Sequence, residues 1–104
     1  MVRSDESSRS TLHMARIHIP ALMQDLTRVP IVDVDIPVNE TRTVGQLLDA
    51  LNILYPGIKE RFVYHGDLLP GIAVFVDQQQ GFMKLQEKVG PKSHVHFLPP
   101  IVGG

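Results

Sequence analysis

Apolar and polar residues alternate over Ala15–Pro20, with Ile17 and Ile19 set against Arg16 and His18. That is the period of a half-buried strand, and Pro20 closes it. The same period returns over Ile31–Pro37, where Val32, Val34 and Ile36 face one way and Asp33 and Asp35 the other. Ala21–Pro30 between them reads as a loop anchored by Leu22 and Leu26, so the two strands predict a hairpin. The period then changes. In Thr43–Gly57 the apolar positions Val44, Leu47, Leu48, Leu51 and Leu54 fall on one face of a helix. Thr43 followed three residues later by Gln46 is a capping-box pattern, and Pro56-Gly57 stops the helix.

Beyond the helix, Ile58–Gly71 reads as a turn-rich crossing loop anchored by Ile58, Phe62 and Leu68 or Leu69. Ile72–Asp77 is apolar almost throughout, the pattern of a central strand buried on both faces. Gln78–Ser93 reads as a turn and a short buried piece pinned by Phe82, Leu85 and Val89. A last strand, "HVHFLP", places Val95 and Phe97 inward and His94 and His96 outward. The order strand, strand, helix, strand, loop, strand predicts an α+β fold, a mixed sheet of four or five strands with one main helix packed across it. Pairing the first and last strands in parallel at the sheet centre gives the β-grasp arrangement of ubiquitin. A ferredoxin-like fold needs a second long helix, which Gln78–Val89 does not supply.

Composition narrows the function. The chain of 104 residues fits one domain, and 43% hydrophobic with 20% charged residues argues against global disorder. Residues 1–13 are rich in serine and charge and read as a disordered leader, 14–100 as the domain, and 101–104 as an extended tail. A net charge of −1 gives no bulk attraction to nucleic acid or to an anionic membrane. No apolar run approaches a membrane span, and no signal-peptide pattern opens the chain, so a cytoplasmic location is expected. The absence of cysteine excludes disulfides, thiolate metal sites, thiol nucleophiles and the cluster of a β-grasp ferredoxin.

Side-chain chemistry is sparse. His94 and His96 share a strand face at a spacing metals use, but the sequence shows no third ligand, and a solvated polar face is the favoured reading; no metal is expected. Asp33 and Asp35 alternate on an outer face where water suffices. Lys84, Lys88 and Lys92 read as a solvated rim, ahead of a landing surface for an acidic partner. No nucleophile elbow, phosphate loop or dinucleotide fingerprint is present, so neither a catalytic centre nor a cofactor of its own is expected.

The carboxyl end is another matter. Pro99 and Pro100 cannot continue a ladder and eject the chain from the sheet. Four residues then extend by roughly 13 Å. Ile101 and Val102 carry apolar side chains into the open, and Gly103 and Gly104 leave nothing to obstruct a narrow channel. The group such a tail can deliver is its carboxylate.

Four stretches, "ARIHIPALMQDLT", "TVGQLLDALNILYPGIKER", "VFVDQ" and "HVHFLPPIVGG", make the chain similar to the MoaD/ThiS family of ubiquitin-like sulfur carriers over Met14–Gly104. The tail most resembles that of the small subunit of molybdopterin synthase, and "YPGIKER" that of carriers serving cysteine synthesis. One departure is Val76-Asp77-Gln78, where many relatives have Val-Asn-Gly. The resemblance implies a co-substrate, not an enzyme. Gly104, preceded by Gly103, would be adenylated by an E1-like enzyme of the MoeB/ThiF type and converted to a thiocarboxylate. Phe97, Leu98, Pro99, Pro100, Ile101 and Val102 would contact partners. The acceptor would be an enzyme such as the molybdopterin synthase large subunit or a cysteine synthase. The same tail also suits a protein modifier conjugated through Gly104, and the third reading is a non-catalytic β-grasp interaction module.

Overall fold

The computed structural model describes residues 14–98. Strand β1 (Met14–His18) and strand β2 (Ile31–Asp35) form the expected antiparallel hairpin, with Ile17 opposite Val32 and Ala15 opposite Val34. The connection between them is more ordered than a loop. A 3-10 turn (Ala21–Met23) runs into a one-turn helix α1 (Gln24–Thr27). Helical winding puts Met23 and Leu26 on the inward side, three residues apart, and turns Leu22 out to 79% exposure. Leu22 is therefore no anchor.

A two-residue strand β3 (Arg42–Thr43) leads into helix α2 (Val44–Leu54). The Thr43 hydroxyl accepts the Gln46 N–H, and the Gln46 side chain accepts the Thr43 N–H, so the capping box is complete. Val44, Leu47, Leu48 and Leu51 are buried, but Leu54 is not. The chain reverses directly after it. Asn52 Oδ1 accepts the backbone N–H groups of Gly57 and Lys59, and Tyr55 and Ile58 close that end of the core instead.

The crossing segment carries a 3-10 turn (Lys59–Arg61) and a small hairpin of β4 (Val63–Tyr64) with β5 (Asp67–Leu68). It is anchored by Ile58, Phe62 and Leu68 as the pattern requires, with Leu69 partly buried. Strand β6 (Ala73–Val76) turns tightly into β7 (Gln79–Gln80), and β8 (Lys88–Val89) pairs with β3. Phe82 lies 77% exposed and pins nothing. Glu87 folds over Gly81 and accepts the Met83 N–H, which closes the turn with Phe82 on its outside; Val89 takes the buried position and Leu85 packs partly buried against the core.

Strand β9 (His94–Leu98) completes a five-stranded sheet in the order β2-β1-β9-β6-β7. β1 and β9 run parallel at its middle. β6 is thus not the central strand, and it is not buried on both faces. Val74 is enclosed on the covered face, where Val76 packs partly buried against the core, while Ala73 and Phe75 stand half-buried on the uncovered face. Between sheet and α2, Phe62 packs against Phe97 with ring centroids 4.5 Å apart. Aromatic pairs at this separation add to the gain from burial itself. No helix among the described residues is long and apolar enough to cross a membrane.

Candidate functional site

Because β9 ends at Leu98, the middle of the sheet delivers the chain to the tail. The alternation of a strand sorts its last residues. Phe97 faces inward and is buried against Phe62, so it offers a partner no surface, contrary to its expected contact role. Leu98 faces outward at 53% exposure beside Ala73. Pro99, Pro100, Ile101, Val102, Gly103 and Gly104, the remaining predicted site residues, lie outside the described residues.

The uncovered face of the sheet is ordered in rows across the strands. One row runs Ile31, His18, His96, Phe75 and Gln80. The next runs Asp33, Arg16 and His94. Arg16 Nε donates to Asp33 Oδ1 at 3.2 Å, an exposed pair of the kind that stabilises little. Asp35 is likewise exposed, so neither aspartate is held in an unusual setting.

The histidines differ from the expected picture of two isolated rings. The parallel register sets His18 beside His96, and strand alternation puts His94 on the same face. His18 and His96 stack with centroids 3.8 Å apart and planes 12° from parallel. His18 Nε2 lies 3.1 Å from His94 Nδ1, within hydrogen-bond distance. Partial burial, then His96, His94 and Arg16 in that order, hold the His18 imidazole below its ordinary pKa, because each disfavours another positive charge. Reading strand by strand misses this cluster. His18 was visible as an outward residue of β1, and only the register of a parallel pair brings it to His94 and His96.

His94 is also held from the other side. Its backbone N–H donates to Asp77 Oδ1 at 2.9 Å, and its carbonyl accepts the Asp77 N–H at 2.9 Å. Asp77, Gln78, His94 and His96 line a shallow depression of about 260 Å³. Lys84, Lys88 and Lys92 are exposed.

A mixed sheet with its first and last strands parallel at the centre and one face covered by a helix defines a ubiquitin-like β-grasp protein. The ThiS family matches residues 17–104, and the chain belongs to that family, among MoaD/ThiS-type ubiquitin-like proteins. A chain of the Amycolatopsis orientalis BexX/CysO complex is 24% identical, with 86% of this chain and 99% of that one covered at a TM-score of 0.73. SAMP1 from Haloferax volcanii is 25% identical over 88% of this chain and 99% of its own, at a TM-score of 0.71. Mycobacterium tuberculosis CysO is 20% identical over 84% and 99%, at 0.70. No curated protein sequence matches the chain.

Proposed function

We propose that the protein is a sulfur carrier and that Gly104 is the residue that bears the sulfur. The observation that carries this reading is the family match, which runs through Gly103 and Gly104. A carboxylate is a poor electrophile. An E1-like enzyme would therefore let the Gly104 carboxylate attack the α-phosphorus of ATP, releasing pyrophosphate. A sulfur nucleophile then attacks the acyl carbon, AMP leaves, and a thiocarboxylate remains. This chain supplies the reacting group and its presentation, while catalysis belongs to the partners; it acts as co-substrate.

An enzyme partner fits the company the fold keeps, which includes the BexX/CysO complex and a putative molybdopterin converting factor subunit from Pyrococcus furiosus. The acceptor belongs to cofactor (molybdopterin) or cysteine biosynthesis. Leu98, with Pro99, Pro100, Ile101 and Val102, would supply the apolar contacts that seat the tail, in a cytoplasmic setting.

The test uses the full chain with ATP, an E1-like enzyme and a sulfide source, followed by iodoacetamide and intact mass. The chain has no cysteine, so an ATP-dependent alkylated adduct mapping to Gly104 is the expected result. No adduct with several competent activating enzymes overturns the reading. A second reading, conjugation of Gly104 to a lysine of another protein, is favoured by the 25% identity to the small archaeal modifier protein 1 (SAMP1) of Haloferax volcanii. It predicts a mass shift on other proteins in the same mixture.

A further inference from the structure

Three of the chain's five histidines stand on one patch of the open sheet face, and nothing in the proposed tail chemistry uses them. Two are neighbours on β9 separated by one inward residue, and the third is their cross-strand partner on β1. Such a set offers imidazole nitrogens from two strands over a rigid backbone, since both strands lie at the centre of the sheet.

The distances suit a shared ion. With metal–nitrogen bonds of about 2.05 Å, two ligands of a tetrahedral centre stand about 3.3 Å apart. His18 Nε2 and His94 Nδ1 stand 3.1 Å apart. His96 is stacked on His18 at 3.8 Å and has to leave that stack to aim a nitrogen at the same point. As the rings lie, no three donors among the described residues converge on one ion. The required motion is the rotation of one half-buried side chain.

Positive charge beside His18 is disfavoured by partial burial, the neighbouring rings and Arg16, so the metal–nitrogen bonds have to outweigh that cost. Among the described residues none of the three rings is paired to a carboxylate. The nearest fixed positive charge in the rows, Arg16, is paired with Asp33. Imidazole donors without thiolate or a carboxylate ligand suit zinc, copper or nickel and not calcium or magnesium.

We propose that His18, His94 and His96 form a divalent transition-metal site of the zinc, copper and nickel class on the outer face of the sheet, completed by water. The proposal stands or falls without the sulfur chemistry.

The experiment is calorimetric titration of chelator-stripped full-length protein with zinc chloride, repeated with nickel chloride. Histidine ring resonances are followed by NMR in parallel. The expected result is saturable one-to-one binding that perturbs the His18, His94 and His96 rings together. His18→Gln, His94→Gln and His96→Gln should each weaken it by at least the roughly tenfold that losing even an outer-sphere partner costs. His65→Gln, remote on the β4–β5 turn, should leave it unchanged. Circular dichroism of the metal-free variants confirms their fold. Absence of saturable binding overturns the proposal. So does binding that survives His18→Gln, which would reduce the site to an ordinary pair on one strand, or binding that moves with His65.

Discussion

At the scale of single residues, Asp25 and Arg61 form a bidentate pair, with Arg61 nitrogens 3.1 and 3.0 Å from the two carboxylate oxygens. The Arg61 hydrogen bonds hold the Asp25 carboxyl below its ordinary 3.8. A carboxyl with a lowered folded pKa adds stability above its unfolded value and loses it as pH falls through the folded one. The pair ties α1 to the turn before β4, so its contribution should be complete at neutral pH and gone in strong acid. Both groups are exposed, which keeps the effect small and salt-sensitive. Arg61→Ala should lower the melting temperature slightly at neutral pH in low salt and leave it unchanged in strong acid. An equal drop in both conditions would assign the loss to packing. Residue-level reading of the sequence worked where the cause was local. Thr43 and Gln46 announce their cap because both partners lie within one turn, but Leu22, Leu54 and Phe82 look like core residues. Their exposure depends on where a turn closes, which apolarity does not encode.

At the scale of elements, the β6–β7 hairpin has a two-residue turn whose residues, Asp77 and Gln78, take φ of 51° and 73°. Positive φ at both positions is the turn that suits Asn-Gly, because it matches the twist of the strands it joins. Gln78 adopts it against its own side chain. Gln78→Gly should therefore raise stability by about 0.5–1 kcal/mol, the strain relieved being partly offset by the added freedom of the unfolded chain. Chemical denaturation reads the change, and a loss of stability would mean that the Gln78 side chain contributes more than its strain. Asp77 is a poor place for the same experiment, since its carboxylate and N–H both clasp His94. The sequence did mark this turn as a departure from Val-Asn-Gly. It could not say that the usual geometry is kept, because an acidic residue tolerates the left-handed region and here also gains a partner across the sheet.

At the scale of the whole molecule, the β-grasp order was legible because strand and helix periods differ and the single long helix falls after the first hairpin. The first and last strands stand in parallel at the centre as expected, but the apolar run of β6 misleads by suggesting a central strand buried on both faces. β6 has the more apolar run, yet β9 is flanked by β1 and β6, and being flanked is a matter of pairing, not of hydropathy. The histidine cluster was hidden for the same reason. The core cluster lies within Ala15–Phe97, so removing Gly103 and Gly104 should leave the unfolding free energy unchanged while abolishing sulfur transfer. A large fall in thermal stability of that deletion would show that the tail also serves the fold.

The parallel pairing of β1 with β9 joins residues such as His18 and His94, 76 positions apart in the chain. Contacts of such long range form late, since the loop they close must be ordered first. During synthesis the first hairpin and the helix can emerge and collapse, but the gap in the sheet stays open until the last strand leaves the ribosome. The sheet is therefore completed only when β9 joins it. A chain that stops short of His94 has no middle strand, and the unpaired edges it leaves on β1 and β6 are templates for pairing with another chain.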